Sequence, residues 1–225
     1  MSNFITNTGS KNLHKRLQEL INNCQEMKFL VGYFYFSGIR ALYDTLMNKE
    51  DVLLRILVGM NTNVYDEINK SLQLGIDFSI AEKRDLYIAT LRNSLSNESL
   101  DTEDYYDQLS FYVNMIKANR LMIRKTREPN HSKLYFFNSD SGFKKKAFIT
   151  GSSNLTYPGL TEQAEFNVEI SDYGTDEAEA YFDNLWESSI EITENENSRN
   201  KLIKVIENET MIRRISPFEA YVLSL

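Results

Sequence analysis

Two short apolar runs constrain this chain more than any other feature: Phe29–Phe36 (FLVGYFYF) and Val52–Val58 (VLLRILV). A strand with one wet face alternates apolar and polar residues, whereas an unbroken apolar run is a strand covered on both faces. Between the two runs, Ser37 opens a helical pattern through Ile39, Leu42, Tyr43 and Leu46. Strand, helix and strand with short connections make a βαβ unit, whose strands run parallel. The chain is therefore read as α/β.

The rest of the pattern fits around that unit. Leu13, Leu17, Leu20, Ile21 and Cys24 lie at helical spacing within 11–27, with Ser10 as the expected N-cap. A helical excursion is expected over about 61–119, carrying Tyr65, Ile68, Leu72 and Ile76, then Leu86, Ile88, Leu91 and Leu95. After a polar interval over 94–104 comes a last helix with Tyr106, Leu109, Tyr112 and Ile116. The apolar faces of these helices need the sheet or one another for cover, so they do not form a second domain. Strand signals return at Leu121–Arg127, His131–Phe137, Ala147–Thr150 and Ala164–Ile170. A helix over Asp176–Ser189 follows, its stripe made of Ala178, Tyr181, Phe182, Leu185 and Trp186. Asn195–Asn200 (NENSRN) reads as a linker, which gives a domain over 1–194 and a linker with the start of a helical extension over 195–225. The last residues, YVLSL, form an amphipathic element without a polar tail, as expected where more protein follows.

Composition removes several classes. One cysteine, Cys24, excludes an internal disulfide and a multi-cysteine zinc site. With only His14 and His131 as imidazoles, a metal would rest mainly on carboxylates; none is expected, nor any other cofactor. No apolar run approaches the ~20 residues of a membrane span, and the N-terminus lacks a signal-peptide core, so a cytoplasmic protein is expected. The net charge of −7 is unevenly spread. Nine basic residues between 117 and 146 (Lys117, Arg120, Arg124, Lys125, Arg127, Lys133, Lys144, Lys145, Lys146) face only Glu128 and Asp140, so this stretch is +7 and the remainder −14. Such an island is either an anion site or a solvated surface. Most of the 13 Tyr and 13 Phe, such as Phe34, Phe36, Phe136 and Phe182, fall at core positions and do not call for a base-stacking role.

The chemistry gathers in 131–170. If 131–137 (HSKLYFF) is a strand, His131, Lys133 and Tyr135 share one face, with imidazole and ammonium ~6–7 Å apart. The next strand runs into Gly151-Ser152-Ser153-Asn154, small residues that let N–H groups and hydroxyls approach an anion. In the strand after that, Ala164, Phe166, Val168 and Ile170 are expected inside, with Glu165, Asn167 and Glu169 on the opposite, exposed face. Convergence of these strand ends would assemble imidazole, ammonium, hydroxyl, carboxamide and carboxylate. That set suits phosphoryl transfer through a covalent intermediate, with Lys133 and Asn154 neutralising the non-bridging oxygens.

His131-x-Lys133 followed by Gly151-Ser152-x-Asn154, with Glu165 eleven residues beyond Asn154, resembles the active-site motif of the phospholipase D superfamily. HSKLYFF, GSSNLT and QAEFNVEI look most like its single-motif bacterial nuclease branch, which includes metal-independent restriction endonucleases and N-terminal domains of Swi/Snf-type helicases. The resemblance implies a mixed β-sheet flanked by helices on both faces. It implies His131 as nucleophile, Lys133, Ser152 and Asn154 as phosphate ligands, and Glu165 as the group that orients His131. Gln163 is a further candidate at the edge of the site. Where the superfamily commonly has an aspartate five residues after the lysine, this chain has Asn138, which weakens a phospholipase assignment. His14 is followed by Lys15 and Arg16 on an expected exposed helix face, so there is one motif per chain. Since the family chemistry uses two histidines, the resemblance implies a homodimer with the active site at the two-fold interface.

The first reading is a DNA-acting phosphodiesterase, the nuclease domain of a larger helicase or restriction protein with an attached ATPase region. In it Arg124, Lys125, Arg127, Lys144, Lys145 and Lys146 would track the DNA backbone. The alternatives are a phospholipase-type phosphodiesterase, which ranks lower because no membrane-binding helix is evident, and a non-catalytic DNA-binding or dimerisation module.

Overall fold

The computed structural model describes residues 4–9, 11–60, 78–97, 103–139, 145–171 and 173–214. Tyr65, Ile68, Leu72 and Ile76, the expected cap Ser10, Lys144 and the terminal segment 215–225 lie outside the described residues.

Eight strands form one mixed sheet in the order β1-β7-β6-β5-β2-β3-β4-β8. They are β1 (Phe4–Ile5), β2 (Glu26–Val31), β3 (Leu53–Val58), β4 (Leu121–Lys125), β5 (Leu134–Asn138), β6 (Lys146–Gly151), β7 (Asn167–Ile170) and β8 (Ile190–Glu191). β2 pairs parallel with β3, Glu26 opposite Leu53 through Val31 opposite Val58, as the two apolar runs require. β4 extends the parallel set, while β5, β6 and β7 each run antiparallel to the strand before them in the sheet. The first run is strand only to Val31. Its second half passes through Gly32 into a short helix, α2 (Phe36–Arg40), followed by α3 (Tyr43–Met47).

The residues of β2 show why the run is continuous. Phe29 and Val31 enter one core, and Leu30 enters the other. The larger core holds the sheet against α1 (Leu13–Asn22), α2, α3, α4 (Ile80–Asn97) and α5 (Glu103–Lys117). It also takes in α6 (Tyr157–Thr161) and α8 (Glu196–Arg214). The smaller core, Leu30, Leu57, Leu134, Phe136 and Phe148, meets one helix, α7 (Thr175–Glu187), through Phe182 and Trp186. Helices thus flank both faces, and α4 and α5 are the described part of the excursion.

Several expectations change. The cap of α1 is Asn12, whose side chain accepts from the Lys15 N–H. His14 is half-buried and bonds the Ala41 carbonyl through Nε2 at 2.6 Å, so it is not on a free helix face. Residues 195–200 open α8 instead of forming a linker: the Asn195 side chain accepts from the Ser198 N–H, and Leu202, Ile203 and Ile206 join the main core. A polar hexapeptide can start a docked helix because its first turn needs capping groups before it needs apolar ones. None of the helices, over the described residues, is long and apolar enough to cross a membrane.

Candidate active site

Antiparallel pairing brings together strand ends that are distant in sequence. β2 leaves the sheet through Gly32, β5 enters at Leu134, β6 leaves through Gly151 and β7 enters at Asn167. The registers Leu30–Leu134, Leu134–Thr150 and Gly151–Asn167 place all four at the same end of the sheet.

His131, Lys133 and Asn154 meet over Gly32. A Cβ built on Gly32 would stand 2.7 Å from His131 Cδ2, 3.0 Å from Asn154 Oδ1 and 3.2 Å from Lys133 Nζ. Only glycine leaves room for the three, which accounts for the one glycine in the middle of the first apolar run. The segment 131–133 is an irregular lead-in, with the strand starting at Leu134, yet His131 and Lys133 reach the same place over Gly32. His131 is exposed, with its ring edge-on to Tyr33 at 5.8 Å between centroids. The Tyr33 N–H donates to Asn154 Oδ1 at 2.9 Å, which fixes the carboxamide and leaves its Nδ2 to donate to a ligand. Lys133 is only 5% exposed and donates to the His131 carbonyl at 2.7 Å. Burial pulls its ammonium below the ordinary lysine range, with the field of Glu165 opposing.

Glu165 is at the site but with another hydrogen-bond partner than expected. It bonds the Ser152 hydroxyl in a short hydrogen bond; no bond to His131 is made among the described residues. Ser152 Oγ also accepts from the Phe166 N–H at 3.1 Å. The one hydroxyl proton of Ser152 is therefore directed at Glu165 and away from a phosphate. Gln163 is exposed, with its backbone tied to Asn7 and Pro158.

The basic island does not form one face. Arg124 is clasped by Glu194 (2.6 and 2.7 Å) and lies 4.5 Å from the Trp186 ring centroid. Lys125 is buried and donates to the Gly59 carbonyl at 3.0 Å, and burial lowers its pKa to about 8. Arg127 is exposed and donates to the Ser188 carbonyl. Lys146 pairs with Asp176 and Glu179. Lys145 and Lys146 enter β6 at its end opposite Gly151, about five strand residues or roughly 16 Å from the His131 end. Sequence proximity to His131 is thus a property of the β5–β6 hairpin and not of the surface.

Sequence reasoning missed Gly32, Tyr33 and the loop supports. Asn130 Oδ1 accepts from the Ser132 N–H at 2.9 Å, and the Asn130 N–H donates to Gly59 O at 3.0 Å. The same carbonyl receives Lys125, so the lead-in to His131 is anchored on the end of β3. The glycine inside an apolar run was the available signal for Gly32; nothing local marks the others. Asn167 and Glu169, expected outside, are both buried, the first against Ser153 and the second in a two-point pair with Arg16 of α1 (2.5 and 2.7 Å). Phe166, expected inside, is exposed beside Phe4. This face of β7 is covered by Arg16 of α1 at Glu169 and by the Ser153 loop at Asn167.

A family model described as "Cardiolipin synthase, PLD-like domain" matches residues 17–186. Among solved structures, phosphatidylserine synthase of Haemophilus influenzae superposes with a TM-score of 0.51 at 14% identity, over 95% of this chain and 47% of the synthase. This chain therefore spans about half of that protein. Nuc, a phospholipase D family member from Salmonella typhimurium, is similar at 14% identity over 79% of this chain and 88% of Nuc (TM-score 0.41). NucT from Helicobacter pylori is similar at 13% over 79% and 89% (TM-score 0.42). None of the curated proteins matches the sequence.

Proposed function

The chain belongs to the phospholipase D-like family and is a phosphodiester-acting domain, and we propose that it hydrolyses DNA phosphodiesters through a phosphohistidine. The observation that carries this reading is the meeting of His131, Lys133 and Asn154 over Gly32. An exposed imidazole beside a buried ammonium and an oriented carboxamide is a nucleophile next to a preformed oxyanion site.

In the proposed reaction the His131 imidazole attacks phosphorus as the P–O ester bond breaks. The leaving oxygen takes a proton from a second imidazole. Water then attacks phosphorus as the P–N bond breaks, gives its proton to that second imidazole, and frees His131 and a phosphomonoester. Lys133 and the Asn154 Nδ2 group hold the non-bridging oxygens throughout. With one such motif per chain, the second imidazole is supplied by His131 of another copy, in a homodimer built about the site. Glu165, held by Ser152, acts on the site through its field at Lys133. DNA as substrate, and a place within a larger helicase or restriction protein, are supported by the HSKLYFF–GSSNLT–QAEFNVEI pattern. Phosphatidyl transfer is the second reading, favoured by the description of the matching family.

The test is hydrolysis of bis(p-nitrophenyl) phosphate, DNA and phosphatidylglycerol in EDTA, by wild type and His131→Ala. Wild type should cleave the first two and the variant should lose at least ~10³-fold. Cleavage of lipid alone would replace DNA by the second reading. A strict requirement for a divalent cation would overturn the metal-free mechanism, and sedimentation as monomer under active conditions would overturn the shared site.

A further inference from the structure

Behind the loop that carries Ser152 and Asn154 lies a buried polar latch. Asn167 is 1% exposed, yet both ends of its carboxamide are engaged by one residue. Its Nδ2 donates to Ser153 Oγ at 2.9 Å, and its Oδ1 accepts from the Ser153 N–H at 3.3 Å. The Ser153 carbonyl accepts from the buried Tyr135 hydroxyl at 2.9 Å. Every polar group of Ser153 is therefore held from beneath. The two segments approach closely because residue 151 is glycine: a Cβ there would stand 2.3 Å from Phe166 O and 2.5 Å from Asn167 Oδ1.

The neighbours of the latch give it meaning. Ser153 sits between Ser152, which bonds Glu165, and Asn154, which reaches over Gly32. Asn167 follows Glu165 by two residues. A rotation at Ser153 would move Asn154 to one side and Ser152 to the other, and a shift of Asn167 would carry Glu165 with it. An aliphatic residue would fill this strand position without the cost of burying a carboxamide. The net stability from such hydrogen bonds is small, about 1 kcal/mol each, so geometry is what the latch chiefly determines.

We propose that Asn167 is a positioning residue of the active site, which sets the Asn154 carboxamide and the Glu165 carboxylate at fixed places relative to each other and to Lys133. It rests on the phosphodiesterase reading above. It touches no substrate and acts through Ser153.

The experiment compares wild type, Asn167→Ala, Asn167→Asp, Ser153→Ala and the double Asn167→Ala/Ser153→Ala on bis(p-nitrophenyl) phosphate, with His131→Ala as control. Rates are expressed per folded molecule, from thermal unfolding and circular dichroism. Asn167→Ala should lower kcat on the order of 10–100-fold, with a smaller change in KM, as misplacement of supporting groups does. The double variant should be no slower than Asn167→Ala alone, because both changes break one latch. Asn167→Asp, which can still accept from both the N–H and the hydroxyl of Ser153, should recover part of the loss. The alkaline limb of kcat/KM should also move to lower pH in Asn167→Ala, since a displaced Glu165 no longer opposes the burial effect on Lys133. The charged groups facing that ammonium are Glu165 and, when protonated, His131. Wild-type kcat per folded Asn167→Ala, with loss of melting temperature only, would overturn the inference while leaving the phosphodiesterase reading intact, provided His131→Ala is inactive. A wild type inert on this ester and on DNA would overturn both.

Discussion

Lys28 and Lys133 are hidden to the same degree, 4% and 5% exposed, on adjacent strands or their lead-ins. Their surroundings are opposite. Lys28, under α7, donates to Glu179 at 2.8 Å and to both oxygens of Asp183 at 2.8 and 3.0 Å. Desolvation works against its charge, but the carboxylates prevail and its pKa is raised. Lys133 has a main-chain carbonyl as its hydrogen-bond partner and no carboxylate within ion-pair distance among the described residues. Desolvation prevails there and its pKa is lowered. A buried cation matched by the fold is structure. One left without a carboxylate is open to an outside anion, and in the proposed reaction an arriving phosphate completes it.

The strongest way to break this comparison is Lys133→Met, which should lower kcat/KM on bis(p-nitrophenyl) phosphate on the order of 10²–10³-fold. Its melting temperature should stay at or above that of wild type, because a poorly compensated charge is replaced by an apolar chain. A stability loss with full activity would show that the two lysines are alike. Lys28→Met should do the reverse, costing about 1–3 kcal/mol in urea unfolding with activity per folded molecule unchanged. The carboxylates it leaves behind are only partly exposed, so their repulsion is incompletely screened.

Lys125 sharpens the comparison as an intermediate case, buried like Lys28 but held by carbonyls. Its folded pKa of about 8 lies below the ~10.4 of an unfolded lysine, so the unfolded chain binds more protons between those values. Stability of the wild type should therefore rise from about pH 8 to ~10.4 relative to Lys125→Met, and a flat difference across that window would refute the assignment. The smallest effect is expected from Glu165→Gln. Without the carboxylate field Lys133 holds its proton less well, and the alkaline limb of kcat/KM should shift to lower pH. A shift upward would mean that Glu165 does not act on Lys133.

Much of this was legible without coordinates. The runs at 29–36 and 52–58 announced strands covered on both faces, and the parallel β2–β3 pair followed. Five chemical groups are named by HxK, GSxN and one glutamate, and the fold brings all five to one end of the sheet. The errors share a cause. Period-two alternation tells which residues share a face but not what that face meets, so Asn167 and Glu169 were placed in water although α1 and the Ser153 loop cover them. The basic stretch over 117–146 is contiguous in sequence alone, because the hairpin between β5 and β6 sends Lys145 and Lys146 to the far end.

By itself, then, the sequence determined the strand and helix types, the parallel start of the sheet and which chemical groups meet at one end of it, because these depend on patterns within a few residues. Only the tertiary structure decided which charges are spent and which are left for a ligand. Arg124 is neutralised by Glu194, 70 positions away, and Lys28 by Glu179 and Asp183, 151 and 155 away. Hydrogen bonds and ion pairs act over a few ångströms of space, and no local pattern records which distant segment will arrive there.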